Sequence, residues 1–530
     1  MIITARKQRP LLAAGLSLLA LPALAEFSFG SGSASLGSPT GYVRGYLREY
    51  LSMNMEDQPD LNYAQTNPQR IGGKGELSMA RSTLKLDMGM DFGSFQVFAV
   101  GRSDREIRTG YLEDLNSSAS HSDRLTGSRF AEGFITDQYD NDELREWYTT
   151  FNIGSRVKAT LGKQQVAWGE TDFFQAMDII HGYDFRWRSF LELEADELRK
   201  PLIMANFVID VPELGGELQV LFRPGWDPKD QIGHFAPLEG GRWAPQPFRG
   251  VDLEAALPYD YNSPNGDHND PTYGLRWSGF AKGIGYSLGY YRGFNLEPIA
   301  NPDPLFGKPF GNRPKNNLAV FEYGNLIFPM IDIFGATLNA DLPQWKTTVR
   351  AEVGYTPNKP FNYGTHAFPF PGISGVVEKN MLAVMLGMDQ TYGWTQKVFK
   401  TPRPSTFTYQ IFDNWILDYD RKDDTANTFG YAAPRKEHKA TFTADGTLNY
   451  RYDTINPGMA FIYDFDGDHM ALIPSVDFVM GDHWRLRAEA DIFVIKDERG
   501  PRENPLTDGT RGLGTMANSS QLAMRLTYQF

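Results

Sequence analysis

The sequence predicts an all-β fold: a transmembrane antiparallel outer-membrane β-barrel of about 14–18 strands, with long extracellular loops and an inward plug loop. Three observations predict it. Apolar and polar residues alternate with period two in many segments, the connections between these segments are alternately short and long, and the chain ends on an amphipathic strand whose last residue is Phe530. Strands with one apolar face, short turns at one end and long loops at the other are typical of this class of barrel.

The alternation places charged residues opposite apolar ones. Side chains of a strand point to its two faces in turn, so each alternating segment has one face for lipid and one for a watery bore. The apolar positions of three such segments are Leu84, Leu86, Met88 and Met90; Val349, Ala351 and Val353; and Leu486, Ala488, Ala490, Ile492 and Val494. The charged residues between them, which we expect to face the lumen, are Lys85, Asp87, Arg350, Glu352, Arg485, Arg487, Glu489 and Asp491.

The connections have two lengths. Tight turns are predicted at Gly93-Ser94, Gly154-Ser155, Lys282-Gly283 and Gly481-Asp482, and long loops at 105–141, 225–271, 294–316, 356–379 and 495–517. The strand segments between the connections are 42–53, 76–92, 94–103, 143–153, 156–166, 201–210, 216–224, 272–281, 284–292, 329–340, 346–355, 380–390, 405–416, 437–450, 457–464, 470–480, 484–494 and 519–530. A chain that starts and ends on the periplasmic side needs an even number of strands.

A soluble β-sandwich, β-helix or propeller also uses half-buried strands. However, the sequence has no repeat period that would support a solenoid or a propeller. The end of the chain favours the barrel, because Leu526, Tyr528 and Phe530 complete an aromatic-ended strand similar to the assembly signal that the barrel assembly machinery recognises in outer-membrane proteins. Such a strand would close the barrel and leave no unpaired edge in lipid.

The N-terminus predicts export. Arg6, Lys7 and Arg9 precede an apolar stretch, and Ala23 and Ala25 form a small-residue cleavage site, which is the layout of a signal peptide over residues 1–25. The alternative is an anchor that stays attached. Residues 26–530 then form a single barrel domain in the outer membrane of a Gram-negative cell, in contact with outer-membrane lipid and lipopolysaccharide.

Composition excludes several classes of protein. The chain has no cysteine, so no disulfide supports it, and no uncharged apolar run long enough for a helical membrane span. A net charge of −13 argues against binding to nucleic acid. No catalytic motif, cofactor site or metal-ligand spacing is present, so we predict neither an enzyme nor a metalloprotein. We place His181 and His438 at the surface.

Residues 143–170 carry a family resemblance. The groups Arg145-Glu146-Trp147, Gly162-Lys163-Gln164 and Trp168-Gly169-Glu170 resemble those of a Gram-negative outer-membrane family that is catalogued only as a domain of unknown function. Lys163 stands where arginine is usual in that family. Residues 199–202 and 271–279 extend the similarity. The resemblance implies traffic of apolar compounds across the envelope, with a periplasmic or lipoprotein-like carrier and an inner-membrane transporter of the RND type as partners.

The segment that follows is the candidate ligand path. It is more than 30 residues long and rich in aromatic and charged residues, so we predict that it folds into the barrel as a plug whose rings offer an apolar surface. An outward loop that packs on its neighbours and on lipopolysaccharide is the alternative. The residues of the predicted path are Trp168, Gly169, Glu170, Phe173, Phe174, Phe185 and Trp187.

Two further groups of charges have open interpretations. The lumen-facing charges either pair with one another to hold the barrel's shape or form a constriction that orients dipolar solutes. Asp464, Asp466 and Asp468 alternate in a predicted outer loop, but they lack the pattern of an EF-hand, so we expect solvation or divalent bridging to lipopolysaccharide.

The sequence therefore predicts an outer-membrane channel for hydrophobic small molecules such as hydrocarbons, sterols or lipid-like compounds. A porin for polar solutes with a charged constriction is the alternative, and a surface adhesin is the third class.

Overall fold

The computed structural model describes residues 27–29, 39–57, 73–115, 139–171, 173–192, 194–235, 241–244, 259–262, 266–300, 326–365, 372, 374–427, 433–496 and 511–530. The predicted signal peptide, residues 1–25, and parts of the predicted long loops lie outside these ranges.

Eighteen long strands in the described part of the chain form one sheet. A short nineteenth strand, Phe27–Phe29, pairs with residues 41–43 of the first long strand. The long strands are β1 Thr40–Asn54, β2 Leu77–Asp91, β3 Phe95–Glu106, β4 Asn141–Ile153, β5 Val157–Gln164, β6 Leu202–Val211, β7 Gly216–Arg223, β8 Thr272–Ala281, β9 Ile284–Phe294, β10 Met330–Leu342, β11 Thr347–Tyr363, β12 Gly375–Tyr392, β13 Ser405–Ile416, β14 His438–Thr447, β15 Ile455–Asp464, β16 His469–Met480, β17 Trp484–Val494 and β18 Gln521–Gln529. Each pairs antiparallel with its neighbour in sequence.

The last strand closes the ring against the first. β18 pairs with β1 from Tyr46↔Gln529 to Asn54↔Gln521. Gly45 and Phe530 exchange backbone hydrogen bonds of 2.9 and 3.0 Å, and the short strand Phe27–Phe29 pairs with β1 beyond that point. The predicted fold class is confirmed: the chain forms a closed antiparallel barrel, and all eighteen predicted strand segments are strands of it.

The ends of the barrel differ. At one end most turns are tight, as at Lys282 and Gly283, whose φ angles of 53° and 83° make the two-residue turn that joins β8 to β9. At the other end most connections are long. The predicted loop 356–379 is too wide, because β11 and β12 resume pairing at Lys359↔Lys379 after a register shift. A bulge at this point lets a Pro-containing stretch that reads as a loop continue as strand.

The outer wall is apolar. Leu288, Phe334 and Leu386 are 59%, 49% and 55% exposed, and their neighbours along the strands point inward. The short helical turns of the described residues are 110–115, Ser189–Leu191, Ala195–Leu198, Pro212–Leu214, Lys229–Gln231, Trp394–Phe399, Arg421–Asp423 and Gly512–Met516. Within the described ranges, these helices are all too short or too polar to cross a bilayer.

The described residues of the connection from β5 to β6, which are 165–171, 173–192 and 194–201, lie inside the ring; they are called the inner segment below. Their side chains contact inward-facing residues of β2, β8, β11, β13 and β17, strands that lie around the whole circumference. A connection on the outside could not reach all of these strands. The inner segment therefore fills part of the bore.

Candidate functional site

A buried histidine ties the two ends of the inner segment together. The Val166 N–H donates to His181 Nε2 at 2.9 Å, and His181 Nδ1 lies 2.9 Å from the Lys200 carbonyl oxygen. Burial lowers the pKa of His181 to about 3, which keeps the ring neutral. The predicted position of His181 at the surface is wrong. The residue is 0% exposed, and both of its ring nitrogens contact backbone groups inside the segment. His438 lies on an exposed rim beside Asp413.

The C-terminal half of the inner segment is held to β1, β2 and β3 through Glu197. This carboxylate lies 3.1 Å from Lys85 Nζ and 3.6 Å from Arg102 Nη1, and it accepts a hydrogen bond from the Tyr46 hydroxyl at 2.7 Å. Burial alone would raise the pKa of Glu197, but attraction to Lys85, Arg102 and Arg48 outweighs burial and lowers it to about 2. The carboxylate stays charged and fastened at neutral pH.

Four more ion pairs extend this contact across the closing seam, from β1 to β17 and β18. Glu192 lies 3.0 Å from Arg525, and Glu194 lies 3.2 Å from Arg48. Arg188 carries the opposite sign: its guanidinium pairs with Glu489 and lies 3.8 Å from Asp491. Charged groups of the inner segment thus meet wall residues of opposite sign.

The N-terminal half packs differently, against glycines of the wall. The Trp168 ring is 1% exposed, and its Nε1–H donates to Gln219 at 2.9 Å. A Cβ atom at Gly274 would lie 2.9 Å from this ring, and one at Gly289 would lie 3.3 Å from it. Because these two positions of β8 and β9 carry no side chain, they leave a slot that the indole fills.

Met177 occupies a second slot on the next strands. A Cβ atom at Gly335 would lie 1.9 Å from the Met177 Cε, and one at Gly354 would lie 3.2 Å from its Sδ. Gly289, Gly335 and Gly354 are paired in register on β9, β10 and β11, so the small residues form a continuous row across the wall.

Glu352 and Arg350 of β11 hold the backbone between the two slots. Glu352 accepts hydrogen bonds from the N–H groups of Glu170 and Met177, and Arg350 donates to the Glu170 carbonyl oxygen at 2.5 Å. Gly169 belongs to the same turn: a Cβ atom there would lie 2.8 Å from the Asp178 nitrogen. The turn that carries the family resemblance is thus pressed against β11.

The predicted lumen charges have two kinds of partner. Asp87 pairs with Arg44 at 2.7 Å and Arg487 pairs with Asp477 at 2.7 Å, both within the wall, whereas the side chain of Arg485 donates to backbone carbonyls of residues 481 and 484. Of the predicted lumen charges, those that contact the inner segment are Lys85, Arg350, Glu352, Glu489 and Asp491. The sequence offered two interpretations of these charges, and neither included fastening an internal segment.

A cavity of 280 Å³, called the upper cavity below, lies beside the inner segment at the end of the barrel with the long loops. Its apolar side consists of aromatic rings: Phe173, Phe174, Phe185 and Phe190 of the inner segment, Trp243 of the β7–β8 connection, and Phe361 of β11. Phe174 and Phe190 have ring centroids 5.7 Å apart, and Phe174 meets Phe412 of the wall edge-on at 5.6 Å.

Charged side chains also line this cavity, and two of them, Lys359 and Arg435, lie over the Phe361 ring at 5.9 and 5.6 Å from its centroid. Lys359, Arg435 and Lys439 line it together with one carboxylate, Glu297. Partial desolvation among its neighbours would raise the pKa of Glu297, whose side chain is 53% exposed, but attraction to the three cations outweighs this and lowers the pKa to about 2. The cavity combines an aromatic surface with a net positive charge.

A second cavity, of 230 Å³, lies closer to the end with the tight turns and is called the lower cavity below. Phe173 and Leu191 of the inner segment line it, together with Arg487 and Glu489 of β17 and with Thr447, the last residue of β14. Phe173 lines both cavities, so this ring lies between the compartment near the long loops and the compartment near the tight turns.

The structure brings together some of the predicted path residues. Phe173, Phe174 and Phe185 line the upper cavity, whereas Trp168 is enclosed by the wall and Trp187 packs against Tyr50 with ring centroids 6.0 Å apart. Glu170 faces Asn339 and Arg350. Phe190, Trp243, Phe361 and the three cations were not among the residues predicted from the sequence. Phe190 shares the aromatic density that marked the segment, but nothing local marks the others.

The three aspartates of residues 464–468 go to separate partners. Asp464 accepts from the N–H groups of Asp466 and Leu513, Asp466 pairs with Lys436 at 3.3 Å, and Asp468 pairs with Lys496. Their side chains are engaged individually. Among the residues that the structure describes, no cluster of His, Cys, Asp or Glu has the arrangement of a metal site.

Comparison with known proteins gives distant structural likenesses. The outer-membrane channel DcaP of Acinetobacter baumannii is similar at 9% identity and a TM-score of 0.39, over 94% of this chain and 99% of that one. For OccAB1 of Acinetobacter baumannii the values are 10%, 0.42, 92% and 96%, and for OmpT of Vibrio cholerae they are 9%, 0.34, 93% and 100%.

Sequence comparison is more specific. No curated protein matches the chain. The model of a family described as "Protein of unknown function (DUF1302)" matches residues 9–530.

Proposed function

The chain belongs to the DUF1302 family, and we propose that it is an outer-membrane channel for hydrophobic and amphipathic small molecules. The observation that carries the proposal is the aromatic cavity of 280 Å³ beside an internal segment that obstructs the bore. Ligand sites are concave, mostly apolar and supplied with a few polar groups, which is the character of this cavity.

The outer wall supports placement in a membrane. Large exposed apolar surfaces mark contact with lipid or a partner, and closed barrels leave no backbone edge unpaired. Aromatic residues also gather near the tight turns: Phe92 stacks on Phe95 at 4.8 Å, and Trp484 lies 4.9 Å from Tyr528. Rings at this level are typical of the interface between a bilayer and water.

The route that we propose follows the two cavities. A ligand that has passed the lipopolysaccharide layer binds the rings at the long-loop end, which faces outward in this class of barrel. Movement of the Phe173 side chain then admits it to the lower cavity. Rotation of one aromatic side chain needs no refolding of the inner segment, so the ion pairs to the wall stay in place.

A porin for polar solutes is the alternative. It needs an open, water-filled eyelet whose charges face the permeating solute. Here the charges of Lys85, Glu489 and Asp491 are directed to the inner segment. This favours the channel with a plug over the open porin.

Partners belong to the same proposal. Leu526, Tyr528 and Phe530 lie on the closing strand β18 or directly after it, as an assembly signal for the barrel assembly machinery would. The family resemblance supports a periplasmic or lipoprotein carrier and an inner-membrane RND-type transporter as receivers of the ligand.

Binding of a neutral fluorescent probe tests the function. N-Phenyl-1-naphthylamine is titrated into the mature protein in nanodiscs of zwitterionic lipid, with empty nanodiscs subtracted. We expect saturable binding, weakened about tenfold by Phe174→Ala or Phe190→Ala, because each removes a ring from the cavity. Phe280→Ala is the matched control, since Phe280 is 70% exposed on the outer wall and far from the cavity lining.

Planar-bilayer conductance provides the second measurement. We expect the wild-type protein to pass little ionic current, because the inner segment obstructs the bore. A large, steady open-channel conductance, with probe binding equal in the wild-type protein and both cavity variants, would favour the porin and overturn the proposal.

A further inference from the structure

We infer that the ligand of the upper cavity is a single-chain amphiphile with an anionic head group, held by Lys359, Arg435 and Lys439. The inference rests on the proposed function and narrows its substrate class. A neutral hydrocarbon would need only the rings of the cavity and would not use its excess positive charge.

The balance of charge carries the argument. Three cations line the cavity and Glu297 is the one carboxylate among its described lining residues. Glu297 lies 3.8 Å from Lys359 Nζ, at the outer limit of an ion pair. The cavity lining therefore carries an excess of two positive charges, which Asp413, Asp464 and Asp466 attract from outside it, in a protein whose net charge is −13.

The cations are also incompletely bonded. Arg435 is 7% exposed; its Nη1 donates to Asn427 at 3.0 Å, whereas its Nε is buried with no hydrogen-bond partner among the described residues. Lys439 makes no side-chain hydrogen bond or ion pair within the described part of the chain. A buried donor without a partner costs free energy, and a carboxylate or sulfate group would supply acceptors for the Arg435 Nε and for Lys439, which is partly exposed.

The positions of the two sides define the orientation of the ligand. Lys439 is the second residue of β14 and Lys359 lies near the C-terminal end of β11, so both are at the long-loop end. Phe173 lies deeper, between the two cavities. The head group is therefore held near the entrance, and the apolar chain points along the rings toward Phe173.

The size of the cavity limits the ligand. Its 280 Å³ is close to the lower end of ligand pockets, which hold about 300–1,000 Å³. A single acyl chain with a small head group suits this space, and a phospholipid or lipid A with several chains does not. We therefore assign a free single-chain anion rather than a membrane lipid.

Binding of dodecanoate and dodecanol tests the inference, because these two molecules share a chain and differ in head-group charge. Both are measured at pH 7.5 by equilibrium binding to the full mature protein in zwitterionic nanodiscs, with empty nanodiscs subtracted. We expect dodecanoate to bind about tenfold more tightly than dodecanol, as one charge-assisted contact would give.

Variants then locate the head group. Lys439→Gln is expected to remove most of the preference for dodecanoate, and Glu297→Gln to increase dodecanoate affinity by removing the competing carboxylate. Lys439→Gln alters no described ion pair, so its folding is not at risk. Lys422→Gln is the matched control, since Lys422 is an exposed lysine at the same end of the barrel and does not line the cavity.

The outcomes separate the inference from the proposed function. Equal binding of the two ligands, unaffected by Lys439→Gln, would overturn the anionic head group while the channel for hydrophobic molecules stands. Failure of both ligands to bind would count against the proposed function itself. Loss of dodecanoate binding in nanodiscs that contain phosphatidylglycerol would overturn the single-chain assignment, because a membrane lipid would then occupy the site.

Discussion

The two halves of the inner segment contact the wall of the barrel in different ways. Its C-terminal half meets β1, β2, β17 and β18 through buried ion pairs, of which Glu197 with Lys85 and Arg188 with Glu489 are examples. Its N-terminal half meets β8–β11 through shape, with Trp168 and Met177 in slots that wall glycines leave open. Glu352 and Arg350 also bind the backbone of the N-terminal half, but its side chains are matched to the wall by volume, whereas those of the C-terminal half are matched by charge.

The difference separates two requirements of a plug. Ion pairs depend on which charge is present, so a single reversal converts attraction into repulsion within a site of low dielectric. Slots depend on size, so a misfit is relieved by small shifts of the ring and its neighbours. We therefore expect the charged half to determine whether the segment stays inside, and the glycine-lined half to determine its position there.

Reversal of the charge at Arg188 has the largest expected effect. In Arg188→Glu a carboxylate faces Glu489 and Asp491, and loss of one partner from a buried pair alone costs about 3–5 kcal/mol. We expect the inner segment to leave the wall and the swelling rate of proteoliposomes in arabinose to rise at least about tenfold, in line with a change of more than 1.4 kcal/mol.

Arg105→Glu is the control for that experiment. Arg105 pairs with Asp142 at 2.6 Å on the rim, where both side chains are more than half exposed, so its reversal is expected to leave swelling unchanged. Heat-modifiable migration on a gel verifies that both variants form closed barrels. If swelling of Arg188→Glu equals that of the wild-type protein while its barrel is folded, the charged half does not retain the segment.

The fold could be predicted from the sequence because lipid imposes a local rule. An outward position must be apolar and its neighbours face water, so each strand, such as β17, shows period two without reference to any other strand. The length and aromatic density of the inner segment were local signals too. The contacts of that segment gave no local signal, because partners such as Lys85 and Glu197 lie far apart in the sequence.

The meaning of the wall glycines was hidden for a related reason. A glycine in a strand reads as a weak point or a bulge. Gly274 and Gly289 become a slot only when Trp168 is placed against them, and neither residue lies near that tryptophan in sequence. His181 was misplaced in the same way, because its two partners belong to opposite ends of the segment.

Filling the tryptophan slot tests the glycine-lined half and has an intermediate expected effect. In Gly274→Leu the new side chain overlaps the Trp168 ring, and overpacking of this kind costs about 1–3 kcal/mol. We expect a red shift of tryptophan fluorescence as the indole is displaced, with swelling raised less than in Arg188→Glu. Gly101→Leu is the control, since a Cβ atom there meets no atom within 4 Å. Equal spectra for the two variants would exclude the slot.

Removal of the Glu197 charge, by substitution or by acid, has the smallest expected effect. Attraction to Lys85, Arg102 and Arg48 exceeds the cost of burial and lowers the pKa of Glu197 from 4.5 to about 2. A carboxylate with a lowered pKa stabilises the docked state above its ordinary pKa, and this contribution is lost as the pH falls through the lowered value. The contribution of Glu197 should therefore be complete at neutral pH, decline as the pH falls below about 4.5 and be lost near pH 2.

The variant Glu197→Gln isolates this contribution, because the amide keeps an acceptor for Tyr46 but cannot titrate. At pH 7 we expect its swelling rate to exceed that of the wild-type protein at least about twofold, because the lowered pKa means that the docked state favours the charged carboxylate over a neutral group. The ratio of the two rates should stay constant down to about pH 4.5 and approach one near pH 2. Equal swelling of the two proteins already at pH 7 would mean that docking does not lower the pKa of this carboxylate, and hence that Lys85, Arg102 and Arg48 do not hold it.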